Sequence, residues 1–224
     1  GRLEEALEAY REAEQLYRKL VEEGRIELKP DLAMALVSKG AALWKLGRLK
    51  EALEAYEEAE QLYKRLVKEG RVELKPELAM LLVNRGLVLW EAGRLEEALE
   101  VLGEAEGIYR SAIGDGWVWL RFRFAKLLLG KSLVLLELGR VSESLEVLKE
   151  AEEVGEQLMS SGMDVEAASI LEGIGEAYMR LIDRGHTSLK PKLAMLLAKV
   201  ASVYMESDRE KARELLERAV RLLG

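Results

Sequence analysis

Few residues in this 224-residue chain could carry covalent chemistry. His186 is the only imidazole. Acid–base or metal work would require partners held around it, and its setting in Arg184-Gly-His-Thr-Ser-Leu189 reads as a solvated linker. Gly130-Lys131-Ser132 matches the end of a phosphate-binding loop, but the glycine required five positions earlier is Ala125. The flanking residues also continue an apolar helical pattern where such a loop needs a strand-to-helix turn. Paired carboxylates such as Glu4 and Glu5, or Glu57 and Glu58, recur along the chain. A glycosidase pair is a single, buried arrangement, whereas repeated pairs suit a wet helix face with Lys and Arg one turn away. Cysteine is absent, which removes disulfides, thiolate nucleophiles and thiolate-bound zinc. The sequence therefore predicts no enzyme, no cofactor and no metal.

What remains is the chemistry of recognition. Two of the four tryptophans and both phenylalanines lie in Trp117-Val-Trp-Leu-Arg-Phe-Arg-Phe124. Trp117, Trp119, Arg121, Phe122, Arg123 and Phe124 could form an aromatic–arginine hot spot for a protein partner. The alternative is a helix extended backwards, with Trp117, Leu120 and Phe124 on one buried face. Stacking on single-stranded nucleic acid is a third use of such residues. The net charge of −7 argues against it, because nucleic-acid binding needs a basic face that displaces counterions.

The elements that must position these residues follow from a repeat. Residues 1–46 and 47–92 are near copies with about two-thirds of positions identical, and Gly-Arg recurs at Gly1, Gly47, Gly93 and Gly139. A fixed period of this size marks stacked helical units, each unable to bury its apolar face alone. Helical spacing of Leu3, Ala6, Leu7, Tyr10, Ala13, Leu16, Tyr17 and Leu20 predicts a helix over 2–23. Gly24 can end it in the left-handed conformation, and Pro30 fits the first turn of the next helix, to about Leu46. The same punctuation predicts helices over 48–69 and from Pro76 to Ala92. The repeats are 1–46, 47–92, 93–138 and 139–183, with an irregular capping unit over 184–224. After Met163 the register fails: Asp164 opens a helix to Asp183, Lys190 to Met195 copy Lys29 to Met34 one helix out of step, and Ser207 and Asp208 start a final helix to Leu223. Polar Arg209, Glu210, Arg213, Glu214 and Arg218 suit an outer capping face.

The pattern of Leu36, Gly40, Leu43, Gly47, Leu49, Ala52, Tyr56 and Ala59 resembles the tetratricopeptide repeat. Leu82, Gly86, Leu89, Gly93, Leu95, Ala98, Leu102 and Ala105 repeat it, and Leu128, Ser132, Leu135 and Gly139 open a looser third copy. The unit departs from the family's usual length of about 34 residues through a longer second helix and the linker before each proline. The resemblance implies an all-α, right-handed superhelical solenoid of stacked antiparallel helix pairs. It also implies a concave groove, lined by the first helix of each pair, that binds an extended peptide or a partner helix. Carried onto this chain, the groove is Met34, Val37, Ser38, Ala41, Trp44 and Lys45, then Met80, Val83, Asn84, Leu87, Trp90 and Glu91, then Lys126, Leu129, Leu133, Leu136 and Glu137. Where some family members clamp a terminal carboxylate with basic residues, this chain has Val37 and Ala41. Adaptable Met and large Trp anchors suit an amphipathic helix or apolar peptide; Trp44 and Trp90 could equally pack into the next repeat as core.

The function expected is thus a non-catalytic protein-interaction module with a protein or peptide partner. A sensor or spacer arm of a larger signalling protein, linked to an ATPase or protease, is a second reading. Self-association through the unpaired N-terminal helix, giving a homo-oligomer, is a third. No apolar run approaches a membrane span and no signal-peptide pattern opens the chain, so no membrane partner and a cytoplasmic location are expected. Heavy charge with a single asparagine, Asn84, hints at a heat-tolerant source.

Overall fold

The computed structural model describes residues 1–224 and contains helix and turn without strand. The chain divides into two compact units, Gly1–Leu120 and Arg121–Gly224. The first holds α1 (Arg2–Glu22), α2 (Lys29–Lys45), α3 (Leu49–Lys68), α4 (Lys75–Glu91) and α5 (Leu95–Gly114). The second holds α6 (Arg121–Glu137), α7 (Val141–Ser160), α8 (Asp164–Asp183), α9 (Lys190–Tyr204) and α10 (Arg209–Leu223). Four 3₁₀ turns, Ile26–Leu28, Val72–Leu74, Val118–Leu120 and Thr187–Leu189, precede α2, α4, α6 and α9. No helix is long and apolar enough to cross a membrane.

Within the first unit, α2 with α3 and α4 with α5 form tight antiparallel pairs, while α1 lies on α2 and α3 on α4. The expected all-α architecture of stacked antiparallel helix pairs is what each unit shows. The turn inside a pair is made by a left-handed glycine: at Gly47, φ is 74° and the amide of Arg48 reaches back to the carbonyl of Leu43 at 2.9 Å. That bond satisfies a carbonyl the helix end would otherwise leave open. The core is built from the positions the period marks, among them Leu36, Leu43, Ala52, Tyr56 and Ala59, all almost wholly buried. Each large apolar side chain so placed contributes roughly 1.5–3 kcal/mol.

In the second unit α6 with α7 and α9 with α10 are the tight pairs, and α8 packs on both α7 and α6. The predicted break of register after Met163 is visible here. A glycine turn of the short kind, Gly162 with φ 77°, joins α7 directly to α8, and the linker with its 3₁₀ turn follows α8 instead. By its linker α8 resembles α1; by its packing it stands where a first helix would stand.

Two expectations need correction. The Trp117–Leu120 stretch is no backward extension of α6, because it keeps the 3₁₀ turn of the other linkers. The outer side of α10 is not simply polar: Leu216, Val220 and Leu223 are exposed along it, beside Met205.

Candidate functional site

The face predicted for binding is carried by α2 and α4, each opened by a proline in its first turn. One side of α2, with Leu32, Leu36, Gly40 and Leu43, is spent on the core. Helical spacing then leaves Met34, Val37, Ser38, Ala41, Trp44 and Lys45 on the other side. Met34 is 56% exposed and Lys45 is exposed, while Val37, Ser38, Ala41 and Trp44 are half-buried. On α4, Met80 and Glu91 are exposed and Val83, Asn84, Leu87 and Trp90 are half-buried. The two tryptophans are neither core nor free surface. Trp44 is fixed by a hydrogen bond from its indole Nε1 to the Glu91 carboxylate, which ties α2 to α4 across this face.

The basic residues closest to it in sequence point elsewhere. Lys39 is paired with Glu14 of α1 at 2.6 Å, and Arg85 with Glu60 of α3 at 2.8 Å. These cross-helix pairs, one repeat apart, sit at the junction between successive helix pairs. The sequence shows the residues, but their pairing depends on which helix stacks on which. The polar handles left on the α2–α4 face are Lys45, Ser38 and Asn84, with Glu91 accepting from Trp44.

In the second unit the predicted α6 residues part company. Lys126 is exposed, with its ammonium 5.6 Å from the Phe122 ring centroid. Leu133 is half-buried. Leu129 lies against α8, its Cδ1 only 2.8 Å from where a Cβ on Gly173 would be. Leu136 is buried, and its carbonyl accepts from Arg184 at 2.6 Å. The aromatic stretch is likewise divided: Trp117 and Trp119 belong to the first unit, Arg121, Phe122, Arg123 and Phe124 to the second. Trp119 is exposed, Trp117 half-buried and Leu120 buried; Phe124 is buried and Phe122 half-buried, with Arg123 exposed.

The chemically suggestive residues occupy structural places. Gly130-Lys131-Ser132 lies inside α6, where the Ser132 hydroxyl donates to the Leu129 carbonyl at 2.8 Å. A continuous helix has already used the backbone amides a phosphate loop would offer. His186 is exposed and opens a 3₁₀ turn. The buried tyrosines stay protonated: burial pushes Tyr63 up to about 12, helped by the Glu77 and Asp31 carboxylates. Burial likewise pushes Tyr178 up to about 12. A feature missed from sequence is a cavity of about 610 Å³ on α10, lined by Met205, Leu216 and Val220 with Arg209, Arg213 and Arg221 at its edge. Its signal was present in the three- and four-residue steps of Leu216, Val220 and Leu223.

Residues 31–111 match the family model described as Tetratricopeptide repeat, so this part of the chain is built of such repeats. No curated protein sequence matches the chain. Among solved structures, it is similar to BtubC from P. vanneervenii, at 17% identity and a TM-score of 0.64, covering 100% of this chain and 91% of that one. It is also similar to the apo form of RapI, at 13% identity and a TM-score of 0.61, covering 99% and 77% of the two chains. A third is the Rap conjugation gene regulator of plasmid pLS20, in complex with the Phr* peptide, at 18% identity and a TM-score of 0.52, covering 97% and 56%. At these identities the likeness is one of fold.

Proposed function

We propose that this helical-repeat chain is a non-catalytic protein-interaction module that holds a peptide or amphipathic helix on the face formed by α2 and α4. The observation that carries the reading is the state of Trp44: half-buried and oriented by Glu91, on the helix that also carries exposed Met34. A large aromatic whose orientation is already fixed loses little freedom when a ligand covers it. Met34 and Met80, at the N-terminal ends of the same two faces, adapt to apolar side chains of differing shape. Lys45, Asn84 and Glu91 supply polar register. The tetratricopeptide match over residues 31–111 spans both helices and supports the reading, as does the fold shared with a regulator solved in complex with a peptide.

Hydrogen exchange on the chain with and without a captured partner tests this. Protection concentrated in residues 34–45 and 80–91 is the expected result. Protection confined to α3 and α5, or to the Trp117–Phe124 stretch, would place the site elsewhere.

A further inference from the structure

If the face of α2 and α4 is the binding site, as proposed above, its charges narrow what it binds. Among the residues predicted to line it on these two helices, only Lys45 and Glu91 are charged. They hold the same place one repeat apart, each closing its helix. Their surroundings differ. Lys45 offsets the partial negative charge at the end of α2, as a basic last-turn residue does. The last turn of α4 has no basic residue, so Glu91 adds a full negative charge to an end that is already negative.

The cations of and beside α4 are engaged or distant. Arg94 grips Glu97 through two bonds, at 2.7 and 2.6 Å. Arg85 is held by Glu60 and Glu57 of α3 at 2.8 and 3.2 Å. Lys75 opens α4, about 24 Å away at a rise of ~1.5 Å per residue. Lys45 is exposed and forms no ion pair with Glu91. What Glu91 holds is the indole N–H of Trp44, which donates to Oε2. Its Oε1 accepts no bond, and the residue is exposed. An unneutralised carboxylate is thus fixed at the edge of a half-buried indole, on an otherwise apolar face.

We infer that Glu91 and Trp44 form a receptor for an arginine of the bound segment, so that the partner is an apolar segment carrying a basic residue. A guanidinium offers planar N–H donors to a carboxylate and stacks on aromatic rings, and it sheds water more readily than an ammonium. Tryptophan is the ring that attracts cations most strongly. Lys45 does not reverse this preference. Its long stem must be immobilised before it can select an anion, whereas Glu91 is already held by Trp44. The net charge of −7 draws a basic segment toward the chain as a whole.

The test selects binders of the whole chain from a random-peptide phage library, then measures the consensus peptide by fluorescence anisotropy. The selected peptides are expected to pair apolar residues with arginine. Replacing that arginine by glutamine should weaken binding at least about five-fold, the combined scale of an exposed ion pair and a cation–ring contact. Glu91→Gln keeps an acceptor for the Trp44 indole while removing the charge. It should weaken the arginine peptide by a similar factor and leave the glutamine peptide unchanged. Peptides that need Trp44 and Trp90 but show no arginine preference would overturn the inference and leave the binding face standing. An arginine preference that survives Glu91→Gln, or enrichment of acidic peptides, would do the same. Peptides that bind a folded Trp44→Ala/Trp90→Ala variant as well as the parent would overturn the binding face itself.

Discussion

The ring of Tyr56 fills the place where a side chain at residue 40 would begin: a Cβ on Gly40 would lie 2.7 Å from Tyr56 Cε1 and 2.8 Å from Cδ1. Helices α2 and α3 approach this closely because residue 40 has nothing beyond its backbone. Gly40→Ala is therefore expected to lower stability even though alanine favours helix by about 1 kcal/mol over glycine. Overpacking a buried ring costs about 1–3 kcal/mol. At Gly86 the added Cβ would meet Leu102 Cδ2 and Cγ, both at 2.8 Å, and a leucine can change rotamer where a wedged ring cannot. Gly86→Ala should cost less than Gly40→Ala in denaturant unfolding; the reverse order would mean that the ring moves freely.

Tyr56 and Tyr10 occupy the same position in successive copies, yet Tyr56 is wholly buried and Tyr10 is 36% exposed. Truncating the buried one should cost about 3–5 kcal/mol, in the range of large aromatic-to-alanine changes. Tyr10→Ala should cost less than about 1 kcal/mol at low protein concentration, as for other exposed sites. Thermal melts of the two variants compare these directly, and equal losses would show that α1 is packed more tightly than its exposure indicates.

Much of this architecture could be read before any coordinates, and the reasons are local. Gly24, Gly47 and Pro30 act within one turn of the chain, so helix ends fell within a residue or two of expectation. Gly40 and Ala52 declared a close helix approach because small residues at matching points of two helices have few other uses. Other features depend on which helix arrives from outside. By the repeat Leu129 on α6 holds the place of Val37 on α2, and only the arrival of α8, with Gly173 against Leu129, decides what lies over it. The Trp117–Leu120 stretch looked helical because aromatics at three- and four-residue steps fit a helix; the glycine before it and the 3₁₀ turn decide otherwise. On α10 the exposed Leu216, Val220 and Leu223 stripe is interleaved with charged residues, so the helix reads as polar in composition.

Acid sensitivity follows from Glu14. Burial works against its charged form, but hydrogen bonds from Lys39 and Arg18 outweigh this and hold its carboxyl below the ordinary value of 4.5. A carboxyl lowered on folding contributes stability that is present above its unfolded value and lost as pH falls through the folded one. The melting temperature should therefore drop as pH is taken from neutral to below 4.5. Glu14→Gln should melt lower at neutral pH and show a shallower acid slope. An unchanged slope would mean that other carboxylates carry the effect.

Trp44 and Glu91 tie the two helices that form the proposed binding face. The most direct measurement compares partner capture from source-cell lysate by the parent and by a Trp44→Ala/Trp90→Ala variant of unchanged helicity. Loss of about 2 kcal/mol or more, roughly thirty-fold in affinity, is expected from removing such anchors. A partner held equally well by the parent and the folded double variant would contradict the assignment of function to this face.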